Sequence, residues 1–377
     1  MTSKITESNV TISNMEETND ILRFTLSNIN VSYANAIRRT LLSDIPIYVF
    51  KTQPYEENNV NISVNKTRLN NEIIKQRISS IPIHIKDLEQ FPFNDYVFEI
   101  NKENNTNEIV YVTSEDFKIK NIKTDKYLDS SEVKSIFPPN KITGDYIDIV
   151  RLNPKISDSV KSCKLKLEAK IVISNAKEDG MFNVVSTCSY GNTLDPVKID
   201  ETWKEKSQGL KDKHSKEEIE FLKKDWMLLD AKRLYIENSF DFIIESIGIY
   251  DNIQLVNLAC GSIIKKLYVT LENIKNNSQL ITNINDTMPN CYKIVLENED
   301  YTVGKILEYC LFNKYFEETK ELAFVGFLKK HPHDTFSILK VAFKSITNRD
   351  NIIIMLEDSV NKSIILLNSI KEYFNNN

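Results

Sequence analysis

The stretch Asn30-Val31-Ser32-Tyr33-Ala34-Asn35-Ala36-Ile37-Arg38-Arg39-Thr40-Leu41-Leu42-Ser43-Asp44-Ile45-Pro46 decides the fold. It has the pattern of one helix, because Tyr33, Ala36, Ile37, Thr40 and Leu41 share one face at helical spacing. Ser32 is the predicted N-cap, since its hydroxyl can accept a hydrogen bond from the first turn. Pro46 ends the segment. Periodicity alone favours an ordinary amphipathic core helix with a solvated pair of arginines.

The same pattern returns near the end of the chain. The segment from Leu296 to Leu307 aligns without gaps on the segment from Leu26 to Ile37, at a constant offset of 296 − 26 = 270 positions. Thr302 takes the place of Ser32 as the predicted cap. This internal repeat predicts two similar units, each a strand followed by a capped helix.

Composition limits the classes of protein that the chain can belong to. Its 377 residues predict two or three domains, and 41% hydrophobic with 27% charged residues is ordinary for a globular protein. A net charge of −5 argues against a free-standing nucleic-acid binder, which usually has a basic surface, although it does not exclude one local basic patch. No apolar run approaches membrane-spanning length.

Catalytic and metal-binding motifs are missing from the sequence. There is no H-E-x-x-H, no Gly-rich phosphate loop, no G-x-S-x-G and no paired-carboxylate cluster for a two-metal site. The five cysteines include no C-x-x-C, which predicts reduced and mostly buried thiols. His331 and His333 could bind a metal, but their spacing around Pro332 is more typical of surface or packing positions.

Three regions between the repeats have distinct patterns. Two alternating runs, 96–100 and 109–113, flank a polar turn and predict a hairpin. Residues 201–232 are charged and helical, with a capping box from Ser215 to Glu218, and the sequence does not show their role. An apolar stripe in that region consists of Ile219, Leu222, Trp226 and Leu229. Residues 275–290 have the composition of a linker.

The segment from Asn35 to Leu42 resembles the assembly motif of alpha-type RNA polymerase subunits. These are the bacterial alpha subunit, the archaeal D polypeptide and the third-largest subunit of polymerase II. A second signature, with an acidic residue, an arginine and a final Ile-Pro, is similar to Glu72, Arg77 and Ile81-Pro82, although Asn71 departs slightly from the pattern. The strand Phe240 to Gly248 and the helix from about Ile253 to Ile274 also fit the family.

The second copy resembles another subfamily, the eleventh subunit of polymerase II and the archaeal L polypeptide. The similarity lies in Glu299 to Gly304, in Phe324 to Phe327 and in His331-Pro332. Together the two resemblances cover nearly the whole chain in the expected order.

The resemblance implies an α+β fold in which two alpha-subunit-type dimerisation domains pair intramolecularly, with a β-rich insert subdomain in the first. The expected boundaries are 1–50 and 161–275 for the first dimerisation domain, 51–160 for the insert, 276–290 for the linker and 291–377 for the second dimerisation domain. Family members with a zinc or iron–sulfur site hold it with cysteines of the insert. Residues 84–160 contain no cysteine, so we expect no metal and no cofactor.

The resemblance also assigns two groups of residues. The expected partner-interface residues are Asn35, Arg38, Arg39, Glu72 and Arg77. The helix residues expected to pair within the molecule are Tyr33, Ile37, Leu41, Val303, Ile306, Leu307 and Cys310. A solvated helix face remains the alternative for the arginine pair.

The implied function is that of a non-catalytic assembly platform in a multisubunit DNA-directed RNA polymerase. The expected partners are the largest and second-largest subunits and smaller polymerase subunits, with DNA reached only through the complex and no membrane contact. The fused arrangement resembles that of large DNA viruses, which predicts the host cytoplasm (viral factory) and the virion, or else the nucleus. One alternative is a scaffold of another nucleic-acid-processing complex. Another is an independent nuclease, which the missing carboxylate clusters disfavour.

Overall fold

The computed structural model describes residues 10–155, 157, 162–210, 215–284 and 288–376. The strands are β1 (Thr11–Thr18), β2 (Ile21–Ser27), β3 (Ile47–Val49), β4 (Val60–Asn65), β5 (Tyr96–Asn104), β6 (Val110–Thr113), β7 (Lys118–Asn121), β8 (Lys126–Tyr127), β9 (Asp148–Leu152), β10 (Cys163–Ala169), β11 (Val172–Ser174), β12 (Val185–Leu194), β13 (Tyr235–Ser246), β14 (Ile281–Ile284), β15 (Cys291–Glu297), β16 (Leu322–Leu328) and β17 (Phe336–Phe343). The helices are α1 (Val31–Ser43), α2 (Asn71–Ser79), α3 (Ser130–Ile136), α4 (Pro196–Gln208), α5 (Lys216–Leu228), α6 (Asn252–Asn276), α7 (Tyr301–Leu311) and α8 (Arg349–Asn376). The expected α+β class is confirmed.

The chain forms two compact units. The first unit comprises 1–41, 187–245 and 252–377, and the second unit comprises 42–186 and 246–251. The second unit contains the whole predicted insert, 51–160, and extends beyond it on both sides. The exact boundaries of the dimerisation domains stay a prediction.

Two antiparallel sheets build the first unit. Their strand orders are β1-β2-β13-β12 and β14-β15-β17-β16. Strand β2 buries Leu22, Phe24 and Leu26, which alternate along the strand and therefore point to one face. Phe24 stacks on Phe242 of β13 and meets Phe374 of α8 edge-on, each with ring centroids 5.1 Å apart. The core of this unit thus joins residues from both ends of the chain.

The predicted repeat is present as a repeated local structure. Strands β2 and β15 have seven residues each, and in both copies three residues separate the strand from the helix that follows it. Between strand and helix, Asn28 has φ = 59° and Asn298 has φ = 57°. Asparagine is one of the few residues other than glycine that adopts this left-handed region readily. The two copies therefore turn from strand to helix in the same way.

The second unit contains a five-stranded sheet, β4-β10-β5-β7-β8, and two small sheets, β11-β3 and β6-β9. Its core includes four aromatic rings, from Phe50, Phe98, Phe117 and Phe137. The predicted hairpin is wrong, because β6 pairs with β9 and β5 pairs with β10 and β7. The buried amide of Asn104 donates to the carbonyls of Leu152 and Asn153, both at 3.0 Å, which holds the end of β9 beside the turn after β5.

Two other predictions need correction. The predicted linker is partly structured, because Ile281–Ile284 form β14 and pair with β15. Two of its polar residues, Thr282 and Asn283, are exposed at the sheet edge, and residues 285–287 lie outside the described residues. In the 201–232 region, of which 211–214 lie outside the described residues, the capping box and the helices are observed, with Trp226 buried but Leu229 63% exposed. The stripe ends there because α5 stops at Leu228 and the chain leaves the helical path.

Candidate assembly interface

The N-termini of α1 and α7 are capped by residues that precede the predicted caps. Asn30 Oδ1 accepts hydrogen bonds from the Ser32 amide at 2.9 Å and from the Ser32 hydroxyl at 2.7 Å. Asp300 is the N-cap of α7, and its carboxylate accepts from the Thr302 amide at 2.9 Å. The predictions of Ser32 and Thr302 as caps are therefore wrong by two residues. In both cases the Asn or Asp side chain accepts from the backbone amide two residues later, as in an Asx turn.

The helix residues expected to pair within the molecule are all buried. Their exposed fractions range from 0% for Leu41 to 9% for Cys310. The Tyr33 hydroxyl of α1 lies 3.1 Å from Cys310 Sγ of α7 and 2.9 Å from Ser363 Oγ of α8. The Tyr33 ring meets the Tyr309 ring edge-on, with centroids 6.1 Å apart. The two repeat helices thus share a buried contact, which we call the seam.

The seam contains groups that stay uncharged. Burial raises the pKa of Tyr33 well above its usual value, and the neighbouring Cys310 raises it further. Burial also raises the pKa of the Cys310 thiol, against the smaller lowering effect of hydrogen bonds from Ser363 and Tyr33. A thiol held neutral is a poor nucleophile. The arrangement therefore packs two helices together and is unsuited to nucleophilic chemistry.

Arg39 crosses the seam at its other end. Its Nη2 donates to Asp300 Oδ2 at 2.7 Å, and its Nε donates to Thr302 Oγ1 at 3.0 Å. The side chains of Arg39 and Asp300 are 32% and 24% exposed, so the ion pair is partly buried. Arg39, expected to face a partner subunit, thus binds the N-terminus of α7 in the same chain.

The long helices α6 and α8 pack antiparallel beside the seam. Asn257 Nδ2 donates to Asn375 Oδ1 at 2.7 Å near one end, and Lys275 Nζ lies 2.6 Å from Glu357 Oε1 near the other. The guanidinium of Arg349 donates to the carbonyls of Ile274 and Lys275 at 2.8 and 2.9 Å. These are C-terminal carbonyls of α6 without intrahelical partners, which a cation stabilises.

The other expected partner-interface residues fall into two groups. Arg38 lies beside Asn35 on α1 and donates to its Oδ1 through Nε at 3.1 Å and Nη2 at 2.9 Å. Glu72 and Arg77 belong to α2 in the second unit, where Arg77 Nη1 donates to the Ile149 carbonyl at 2.6 Å. The structure therefore joins Asn35 with Arg38, whereas Glu72 is an exposed residue of the first turn of α2. Their contact with a partner stays a prediction.

Sequence reasoning missed Asn30, Asp300 and Ser363. Asp300 could have been identified from the offset of 270 positions, because it corresponds to Asn30 in the first copy. No sequence signal distinguishes Ser363 from the other small residues of α8. Its role depends on how α8 lies against α1.

No group of three or more potential metal ligands occurs in the part of the chain that the structure describes. His331 and His333 are neighbours, with ring centroids 4.9 Å apart, on an exposed turn. Of the other two histidines, His84 belongs to the second unit and His214 lies outside the described residues. Among the described helices, none is long and apolar enough to cross a membrane.

A comparison with protein-family models matches residues 23–267 to the RNA polymerase Rpb3/Rpb11 dimerisation domain. The match covers more than half of the 377 residues, so the chain belongs to this family of alpha-type RNA polymerase subunits. Membership of this family supports a role in transcription for the chain, as an assembly subunit that associates with other polymerase subunits. The matched range includes the first strand–helix copy and ends before the second. None of the curated proteins matches the chain significantly.

Proposed function

We propose that the chain is a fused pair of alpha-type subunits that acts as a non-catalytic assembly platform of a multisubunit DNA-directed RNA polymerase. Its two dimerisation domains pair within one molecule and dock the second-largest and largest catalytic subunits. The seam carries this proposal, since a chain of the dimerisation family contains two strand–helix copies whose helices meet through Tyr33, Cys310, Arg39 and Asp300.

A tether favours this pairing. The two copies are parts of one chain, so each helix meets the other at an effective concentration on the order of millimolar. Buried apolar residues such as Ile37 and Ile306, at 1% and 0% exposure, leave water without the need for a second molecule. We therefore expect a monomer in solution. Light scattering measures the mass in solution, and a homodimer whose structure shows two copies of α1 in contact would contradict the intramolecular arrangement.

Arg38 is the best candidate for the contact with a catalytic subunit. Arg39 is engaged by Asp300, whereas Arg38 binds only its helical neighbour Asn35 among the contacts described, and its planar fork keeps donors for a carboxylate or carbonyl. By resemblance, Asn35, Arg38, Glu72 and Arg77 are each expected to face the large subunits. Arg39 would then act from within the seam.

Affinity purification of the tagged chain from its native source, with mass spectrometry of the co-purifying proteins, tests the function. We expect the largest and second-largest polymerase subunits and smaller subunits to co-purify. Arg38→Glu should remove a large subunit, because losing a charge-assisted contact at a buried interface costs roughly 2–5 kcal/mol. Lys265→Glu, on the exposed side of α6, is the matched control. Co-purification of a different nucleic-acid-processing complex would favour the alternative scaffold.

The proposal also covers activity and location. The isolated chain should show no nucleotidyl transfer and no nuclease activity with Mg²⁺ or Mn²⁺, and elemental analysis should find less than one zinc or iron per chain. The fused arrangement favours a viral factory in the host cytoplasm and the virion, with the nucleus as the alternative. Robust activity that a single point substitution abolishes would overturn the platform assignment.

A further inference from the structure

We infer that the ion pair between Arg39 and Asp300 decides which helices pair, so that α1 selects an α7 and rejects another α1. The inference rests on the proposed pairing of the two copies. Arg39 then gives specificity to a contact inside the chain. The surface that it recognises is the capped N-terminus of α7.

The side-chain contacts of the seam run in opposite directions along α1 and α7. Tyr33, near the start of α1, contacts Tyr309 and Cys310 near the end of α7. Arg39, near the end of α1, contacts Asp300 and Thr302 at the start of α7. The two copies are related by a constant offset. The sequence therefore shows which residue would occupy each contact position in a pair of two α1 helices or of two α7 helices.

A pair of two α1 helices would lose the charge contact. The position of Asp300 in the first copy is held by Asn30, and that of Thr302 by Ser32. Each Arg39 would then face a neutral amide in place of a carboxylate. In a pair of two α7 helices, Tyr309 stands at the position of Arg39, so each Asp300 would face a phenol. Only the mixed pair places a cation against an anion.

The aliphatic positions of the seam discriminate little. Ile37 and Leu41 correspond to Leu307 and Leu311, which are equally apolar. Thr40 corresponds to Cys310, and Thr40 Oγ1 is buried without a hydrogen-bond partner among the described residues. In a pair of two α1 helices the Tyr33 hydroxyl could bond to this Thr40, which would favour the wrong pairing. The ion pair between Arg39 and Asp300 therefore has to outweigh the hydrogen bond that Tyr33 and Thr40 could form between two α1 helices.

Charge reversal in the full-length chain tests the inference. Arg39→Asp places two carboxylates together in one molecule, and Asp300→Arg places two guanidinium groups together. When the two variants are co-expressed with different tags, however, each α1 can find an oppositely charged α7 in the other chain. We expect a reciprocal 1:1 dimer, enriched at least tenfold over the dimer of either variant alone, by tandem-tag purification and native mass spectrometry.

The double variant Arg39→Asp/Asp300→Arg should return to a monomer. Each single variant should lower the Tm by roughly 5 °C, and the double variant should be more stable than Asp300→Arg, although both lose the cap of α7. Asp300→Asn keeps an N-cap while removing the charge, so it should raise the dimer fraction with a smaller loss of Tm. Lys86→Asp and Asp251→Lys, at an exposed ion pair of 3.1 Å in the second unit, are the matched control and should stay monomeric together.

Two results would overturn the inference. One is a co-expressed pair of single variants that forms no more mixed dimer than the control pair. The other is a double variant that is no more stable than the less stable of the two singles. If both singles fail to fold, recovery of a folded monomer in the double variant supports the inference and its absence refutes it. None of these measurements involves polymerase subunits, so they stand or fall separately from co-purification.

Discussion

Asn28 and Asn30 shape the junction between β2 and α1, and Asn298 and Asp300 shape the same junction in the second copy. The first residue of each pair adopts a left-handed conformation and the second caps the helix. Ser32, the predicted cap, donates its own hydroxyl to Asn30 instead. The helix starts two residues earlier than a Ser32 cap would allow, because the Asn30 side chain already accepts a hydrogen bond from the Ser32 amide.

Gly304 lies where α7 meets β16, and a methyl group has no room there. A Cβ at this position would overlap the ring of Phe327. Alanine normally stabilises a helix interior by about 1 kcal/mol relative to glycine. We expect Gly304→Ala to destabilise by roughly 1–3 kcal/mol instead, since overpacking outweighs this gain. Denaturant unfolding measures the difference.

Two variants control this prediction. Gly191→Ala should be near neutral, because no atom beyond its chain neighbours lies within 4 Å of its Cβ position. Gly304→Ala combined with Phe327→Leu should recover stability, because the smaller side chain leaves space. An increase in stability for Gly304→Ala alone would show that Phe327 moves away at no cost.

His84 gives the second unit a dependence on pH. Burial lowers its pKa below the ordinary value of 6.5, Lys86 lowers it further, and a hydrogen bond to the Gly248 backbone opposes both. Between the folded and unfolded pKa values the unfolded chain binds more protons, so stability rises with pH. We expect the contribution of neutral His84 to the free energy of unfolding to be complete above pH 6.5. It should be lost as the pH drops from 6.5 through the pKa of His84 in the folded chain.

Thermal unfolding between about pH 5 and 7.5 measures this effect. His84→Gln should flatten the dependence in that range. His331→Gln, at an exposed histidine, should leave it unchanged. An equal slope in wild type and His84→Gln would assign the pH dependence to other groups.

At the level of elements, α4 and α5 form a helical pair with its own small core. Ile199, Trp203, Trp226 and Ala231 are its buried members, and the two indole rings lie 5.3 Å apart. The helices follow edge strand β12 and precede β13. Phe221, Leu228 and Leu229 on this pair are 72%, 65% and 63% exposed. Such a small core supplies little stability by itself.

The tryptophans make this helical pair observable. The chain has two tryptophans, and both lie in this core. We expect tryptophan fluorescence to change at a lower denaturant concentration than far-UV circular dichroism, because the pair opens locally before the sheets unfold. Trp226→Ala should leave the later transition in place. Coincident transitions for both probes would show that the pair unfolds together with the rest of the first unit.

At the level of the whole molecule, the first unit depends on the seam. Ile37 is 1% exposed in the middle of α1. We expect Ile37→Asp to destabilise by roughly 3 kcal/mol or more, because a buried unpaired charge is among the most severe single-residue lesions. Val31→Asp, on the same helix but at a position 48% exposed, should cost far less. Equal effects of the two substitutions would place the face of α1 that holds Ile37 in contact with water.

Local patterns were enough to identify several features of this chain. The helical periodicity of 30–46, the strand before it and the repeat in 296–307 could all be read from spacing, because side-chain direction repeats within each element. The family motif in 35–42 indicated a polymerase subunit, and the family match agrees. Burial of Tyr33, Ile37 and Leu41 followed from their shared face.

Contacts between distant segments depended on the tertiary structure. Arg39 was expected to face another subunit and instead binds Asp300, 261 positions away. Strand β6 pairs with β9, and buried Asn104 donates to the carbonyls of Leu152 and Asn153 at the end of β9. Helical and strand periods specify which face of an element is buried, whereas the partner on that face is chosen by the packing and hydrogen bonding of the folded chain as a whole.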